Sequence, residues 1–380
     1  MYEFEMGPIR PPSEAGSILI RLTRNCPWNK CAFCPVYKNE KFSLRSKEEV
    51  LRDIDSIWQI TELLKKKNMD LGFGVDDFKN ISLACDELLS EGSIPEMHAR
   101  QVAFWLFYGM KSIFLQDADS LVVKTTDLVE ILTHAKDKFP MIERITSYAR
   151  AKTVSRKSPD ELKDLREAGL NRIHIGMESG SDRVLEMINK GVTREEQIKA
   201  GRNIMRAGFE LSEYYMPGAG GREYIEENAR ESAQVINEIN PTFVRIRSVI
   251  PAPGTPLYQL MMEKKWTYPT EEEKIKEIRL FIENLGGISS IIVSDHIMNL
   301  IEDIEGTLPE DREKMLGKID GFLSMNDEDR KSYIIGRRLG RYRSPADYAY
   351  NPDIEKIKNR IEQNHYSVDA AVLELLWNYI

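Results

Sequence analysis

Three of the chain's four cysteines fall within one short stretch, "RNCPWNKCAFCPVYKN" (24–39), spaced Cys26-x4-Cys31-x2-Cys34. Thiols clustered this way in a reducing compartment bind metal or carry out redox chemistry. A structural zinc site draws on two ligand pairs, yet this chain has a single C-x2-C and no histidine before His98. A four-iron cube takes four ligands, normally all cysteine. Three thiols on one loop can cover one face of such a cube. The remaining cysteine, Cys85, sits in the helix-like run "NISLACDELL", where a thiol reads as a small core group. One iron would then stay open for an outside ligand.

The elements that must position this loop follow from periodicity and caps. "SILIRL" (17–22) reads as a strand running directly into the cysteine loop. Further strands are expected at "KSIFLQ" (111–116), "ERITSYA" (143–149), "NRIHIGME" (171–178), "FELSEYYM" (209–216) and "TFVRIRSVI" (242–250). Between them, Ser46 with Glu49, Ser158 with Glu161 and Thr193 with Glu196 have the spacing of helix capping boxes. Pro159 suits a first helical position, Gly169 a helix end, and residues 224–238 another helix. Strands alternating with helices argue for parallel βαβ units. The expected fold is therefore α/β: a partial (β/α)6 barrel of TIM type, two strands short of eight. A helical insertion is expected at about 60–108. The expected division is a core over 1–300 and a mainly helical C-terminal extension over 301–380. In such folds the reacting groups gather at the C-terminal ends of the strands, where the cysteine loop falls.

On these residues the chain resembles the radical S-adenosylmethionine (radical SAM) enzymes: three cysteines in a loop after the first strand, with an aromatic, Phe33, immediately before the last. The family's usual spacing is one residue shorter between the first two cysteines, so "CPWNKC" departs from it. "GMESG" and "PGTPLY" are similar to segments of the coproporphyrinogen dehydrogenase-like and methylthiotransferase-like branches. The resemblance implies that Cys26, Cys31 and Cys34 hold one [4Fe-4S] cluster and that its open iron takes the amino and carboxylate groups of S-adenosylmethionine. Reductive cleavage then yields a 5′-deoxyadenosyl radical that abstracts hydrogen from substrate. It further implies cofactor contacts at Phe33 and at Glu178, the latter to the ribose. Gly218 and Gly220 in "MPGAGG" would approach the adenine. Gln116, Asp117 and Asp119 in "FLQDADS" stand where many members carry a Gly-Gly-Glu turn for the amino group. Arg150, at the mouth of the third strand, could pair with the cofactor's carboxylate. Each has a plainer reading: a helix cap or solvated turn for the acidic residues, a buried ion pair for Glu178, a surface arginine for Arg150 and an ordinary loop for the glycines.

Alternation places Arg172, His174 and Glu178 on one face of the fourth strand, and Arg245 and Arg247 on one face of the sixth; both faces are assigned to the lumen. Buried arginines need an anion, either a barrel carboxylate such as Glu178 or a carboxylate or phosphate on the substrate. His174, Arg245 and Arg247 are the candidate substrate contacts, although a strand histidine also serves as a satisfied core group. "SDHIMN" (294–299) offers Asp295 and His296 on a closing strand, or else a helix cap.

A net charge of −8 gives no global field for nucleic acid or anionic membrane. No apolar run approaches the ~20 residues of a spanning helix, and the start carries no secretory signal, so a cytoplasmic location is expected. With no later cysteine cluster and about 25 residues before Cys26, neither an auxiliary iron–sulfur site nor an upstream cobalamin domain is expected. The expected partners are a small-molecule substrate and an electron donor such as flavodoxin or ferredoxin. Two competing readings are an RNA-modifying radical enzyme, using "KIKNR" and "GRRLGRYR", and a non-catalytic iron–sulfur or zinc scaffold.

Overall fold

Ser46 accepts the Glu49 N–H, and the Glu49 carboxylate returns a hydrogen bond to the Ser46 N–H, so α1 (Lys47–Asp70) starts where its capping box predicts. The same reciprocal pair starts α5 (Pro159–Glu167) at Ser158, and Thr193 with Glu196 does so ahead of α7 (Arg194–Arg206). The structure is a computed structural model that describes residues 2–74, 77–92 and 94–379. Val75, Asp76 and Ser93 of the expected insertion lie outside the described residues.

Eight strands form one sheet in chain order: β1 (Ile18–Arg21), β2 (Ser112–Gln116), β3 (Arg144–Ala149), β4 (Leu170–Glu178), β5 (Glu210–Tyr215), β6 (Phe243–Ile246), β7 (Ile291–Val293) and β8 (Gly306–Thr307). β1 runs parallel to β2 with Ile18 opposite Ile113, and β6 runs parallel to both β5 and β7; β8 is antiparallel to β7. The six strands read from the sequence are present, in the order of a TIM-type barrel. The additions are β8, of two residues, and β7, of three. β7 ends at Val293, so Asp295 and His296 stand in the loop beyond it and not on a strand.

The insertion between β1 and β2 consists of α1, α2 (Ile81–Ser90) and α3 (Glu96–Phe107). Later helices that matter below are α8 (Ile225–Ile239), α10 (Glu271–Asn284) and α12 (Asp327–Arg338). No helix among the described residues is long and apolar enough to cross a membrane.

The chain packs as two compact units. The first comprises Met1–Pro27, Asn39–His174 and Arg206–Phe209; the second comprises Trp28–Lys38, Ile175–Met205 and Glu210–Ile380. In the first, Ile18, Ile20, Ile113, Phe114 and Ile145 form the buried sheet core, and Ile54, Ile57 and Leu64 are the buried face of α1. A two-residue ladder, Thr23–Arg24 with Ser43–Leu44, ties together the chain on either side of the cysteine loop. In the second, Tyr215 stacks on Phe281 of α10 at 4.0 Å, and the residues beyond 311 form helices.

Candidate functional site

Two of the three clustered cysteines, Cys31 and Cys34, belong to the second unit. The residue between them that anchors the loop is Ala32. It is buried with Val184, Ile188, Met216, Leu257 and Trp266. Its N–H donates to Ile188 O at 2.7 Å and its carbonyl accepts the Leu257 N–H at 2.9 Å. The Lys38 ammonium donates to Cys31 O at 3.0 Å. All four cysteines are outside disulfides, and the three of the loop are half-buried.

The extra length in "CPWNKC" is taken up by a half-buried Trp28 tied to the chain after β4 and by a bent Asn29. The Trp28 indole N–H donates to Asn189 O at 2.8 Å. Asn29 adopts a left-handed φ of 47°, and its amide reaches back to Tyr37 O. Trp28 lies against Gly191, whose φ of +69° suits glycine and whose missing Cβ would collide with the indole. Gly191→Ala is therefore expected to cost about 1–2 kcal/mol in backbone strain alone. Displacing Trp28 should also loosen the cysteine loop, seen as a lowered melting temperature and faster iron loss from reconstituted protein on gel filtration.

Lys190, unremarked in the sequence, connects this loop to β4. Its ammonium stands 5.9 Å from the centroid of the Phe33 ring and 2.8 Å from Glu178 Oε1. Glu178 ends β4 with a φ of 65°, and its carboxylate folds over Gly176, where a Cβ would collide with it. The Glu178 carbonyl accepts the Met216 N–H at 2.9 Å, at the start of the Gly-rich turn. A second acid, Glu213 of β5, is buried, and its Oε2 has no hydrogen-bond partner among the described residues. Burial pushes its carboxyl well above the usual range; Lys190 opposes the shift and Glu178 adds to it. The signals were a charged residue in mid-strand for Glu213 and the "NKG" turn for Lys190.

The Gly-rich turn is held from behind. Gly218 has a φ of +84°, and its N–H donates to Glu277 Oε2 of α10 at 2.6 Å. The other Glu277 oxygen accepts from Tyr215 OH at 2.9 Å and Asn228 Nδ2 at 2.6 Å. Burial raises the Glu277 carboxyl to about 7 despite these donors. Gly218 and Gly220 are both buried, so the Gly218 N–H is already committed within the protein.

Cys26 belongs to the first unit, with Gln116, Asp117, Asp119, Arg150 and His174. Gln116, at the end of β2, uses its amide on the N-terminal segment: it accepts the Gly7 N–H at 2.8 Å and donates to Gly7 O and Ile9 O. Asp117 is buried and paired with Arg21 at 2.7 Å. Asp119 is buried too, accepting from Thr153 Oγ1 at 2.5 Å and the Arg150 N–H at 3.2 Å; burial raises it to about 6. Arg150 precedes one helical turn, Ala151–Val154. His174 is fully buried, edge-on to Tyr148 at 5.8 Å.

Two expectations for the sixth strand change. β6 ends at Ile246, so strand alternation does not by itself place Arg247, which lies just beyond the strand and is exposed. Arg245 is buried and pairs with Asp295 at 3.4 Å, not with Glu178, while its Nε–H donates to Ser212 Oγ at 3.2 Å. Of the basic stretches, Arg337, Arg338 and Lys358 are buried and bonded to carbonyls or carboxylates, whereas Arg341, Arg343, Lys356 and Arg360 are exposed. Cys85 is buried in α2, and burial pushes its thiol up.

Among the described residues no group of three or more His, Cys, Asp or Glu converges to hold a single ion. Thiolates that each bind a different iron of a cube have no need to meet at one point. Three soft donors on a half-buried, two-sided anchored loop suit a cluster whose fourth iron is left to another ligand.

Comparison with known proteins gives a match of residues 93–230 to the Radical SAM superfamily model. An uncharacterized methyltransferase of Pyrococcus horikoshii is 24% identical over 181 residues, 46% of this chain and 38% of that protein. A tRNA uridine(34) acetyltransferase of Methanocaldococcus jannaschii is 26% identical over 120 residues, 31% of this chain and 22% of its own. The match thus spans well under half the length of either relative. Among solved structures, methylornithine synthase aligns with a TM-score of 0.44 and 17% identity, over 90% of this chain and 85% of its own.

Proposed function

The chain is a radical S-adenosylmethionine enzyme, and on that premise we propose that it abstracts hydrogen from an anionic small molecule, using one cluster and one substrate site. Its cofactors are a [4Fe-4S] cluster and S-adenosylmethionine. Cys26, Cys31 and Cys34 are the proposed ligands, and the cluster bound there supplies the electron that cleaves the sulfonium. The rest of the task belongs to the protein's own groups, which bind, orient and exclude water.

The observation that carries this reading is the run Phe33–Lys190–Glu178 in the second unit, which links the cysteine loop to the end of β4. A cation between the loop and a carboxylate suits a ligand bearing both a carboxylate and a ribose diol: Lys190 faces the former and Glu178 accepts from the latter. In the first unit, Asp117, Asp119 and Arg150 are the proposed complements to the amino-acid end, with Asp119 half protonated near pH 6. Gln116 in the first unit and, separately, Gly218 and Gly220 in the second are proposed to act on the cofactor by shape, since the Gln116 amide and the Gly218 N–H already serve the fold. His174 is proposed at the base of the substrate space. The core would span 1–300 and the helical extension 301–380, with a flavodoxin- or ferredoxin-type donor supplying electrons. The burial of Arg337, Arg338 and Lys358 takes three of the seven cations of the basic stretches out of reach of RNA, so the salt dependence of tRNA binding decides between the two substrate classes.

Protein reconstituted without oxygen and reduced with dithionite should release 5′-deoxyadenosine from S-adenosylmethionine. Iron-loaded protein that releases none would overturn the reading, and tRNA binding that weakens steeply with salt would favour an RNA substrate.

A further inference from the structure

We propose that Arg247 and His296 together form an oxyanion-binding site for the substrate, taking a carboxylate or a phosphate group between a guanidinium and an imidazole N–H. The proposal rests on the reading above, that the substrate is anionic, and assigns the recognition to residues other than the buried Arg245.

Arg245 is already compensated. Its guanidinium meets Asp295 and Ser212 and lies 6.0 Å from the Phe243 ring. Arg247, two residues on, sits just past the C-terminal end of β6, the edge where barrel enzymes hold substrates. Its N–H is seated on Tyr215 O at 2.9 Å, while its guanidinium has no protein acceptor among the described residues. Burial first and the Arg247 charge second lower the His296 imidazole to about 4. The ring is therefore neutral near pH 7. Its Nδ1 accepts the Met298 N–H at 3.2 Å, which leaves the proton on Nε2 as a donor.

The two segments that carry these groups are stitched together. Asn299 is fully buried. Its Oδ1 accepts from Ser248 N–H and Ser248 Oγ at 2.9 and 3.0 Å; its Nδ2 donates to Ile246 O at 2.8 Å and Ser294 O at 3.2 Å. One amide thus brackets Arg247 on one side and His296 on the other. Arg338 fixes the same loop by donating to Ile297 O at 3.0 Å and Met298 O at 3.2 Å. With Arg245 and Asp295 cancelling, the site carries one unbalanced positive charge beside a neutral donor. A planar fork and an N–H held in register suit an oxyanion through charge-assisted bonds.

The test is an NMR titration of the oxidised, cluster-loaded protein labelled at histidine. The chain has five histidines, and His296→Gln assigns the signal. Inorganic phosphate and acetate are added separately at constant ionic strength. A saturable shift of the His296 signal is expected, with affinity at least roughly tenfold weaker in Arg247→Ala and intermediate in Arg247→Lys. A response to phosphate alone assigns a phosphate-bearing substrate, and one to acetate alone a carboxylate. No saturable shift with either anion, or a shift unchanged by Arg247→Ala, would overturn the proposal. No turnover is required, so this failure is separable from failure to form 5′-deoxyadenosine.

Discussion

Cys31→Ser protein, reconstituted without oxygen, is expected to retain little iron and to form no detectable 5′-deoxyadenosine, while melting close to the parent. The substitution exchanges a soft thiolate for a hydroxyl that is a poor ligand for iron at neutral pH. With only three clustered thiols available, no neighbour can replace it: Cys85 is buried in α2, and its thiol is pushed up by burial, away from the thiolate form. The loss of iron should exceed the roughly 10–100-fold penalty typical of groups that merely orient metal ligands. Folding should hardly change, because Cys31 is half-buried and the loop is anchored by Ala32 through Ile188 and Leu257. Iron per chain, the visible absorbance of the cluster and the melting temperature are three separate readouts. Cys85→Ala is the matching control and should keep its iron. Full iron retention by Cys31→Ser would remove Cys31 from the ligand set, whatever the activity.

The parts of this molecule legible in the sequence are those set by local chemistry. Capping boxes at Ser46, Ser158 and Thr193 start helices where their spacing says, because the reciprocal hydrogen bonds are made within four residues. Six apolar runs become strands for a similarly local reason. β7 escaped because three residues, Ile291–Val293, do not make a period. Alternation cannot place Arg247, because it holds only while the chain stays extended and β6 stops one residue earlier. What remained unreadable is partner choice across long separations. Nothing near Gln116 says that its amide will be taken by Gly7 and Ile9. Nothing near Gly218 says that Glu277 will take its N–H. Lys190 gains its place between Phe33 and Glu178 only when the helix after β4 folds back over the cysteine loop.

Glu271→Ala should be the most destabilising single change outside the apolar core, by about 3–5 kcal/mol. Glu271 opens α10 and is almost fully buried. Its carboxylate meets Lys274 Nζ at 2.8 Å and Arg338 Nη2 at 2.8 Å, both also buried, and its N–H donates to Asp369 at 2.8 Å. Burial alone would raise the Glu271 carboxyl, but Arg338 and Lys274 overcome it and hold it at about 2. Alanine removes the acid that bridges two buried cations and leaves Lys274 with the Tyr268 hydroxyl at 2.7 Å. The sign of the pH dependence follows. A carboxyl depressed in the folded state stabilises fully above its unfolded value, near 4.5, and loses that contribution as pH falls toward 2. The variant should therefore unfold at lower denaturant than the parent at pH 7, with the gap narrowing by pH 3. Equal midpoints at pH 7 would show that the cluster contributes nothing net. If instead the charges only balance their own desolvation, Glu271→Met with Lys274→Met should recover part of the loss, since apolar groups of similar size can replace a buried pair, although Arg338 is then left with carbonyl acceptors in place of its carboxylate. Arg338 would still hold Ile297 and Met298 through their carbonyls. The double variant should then keep the His296 response to phosphate, which separates the stability of the cluster from the anion site it supports.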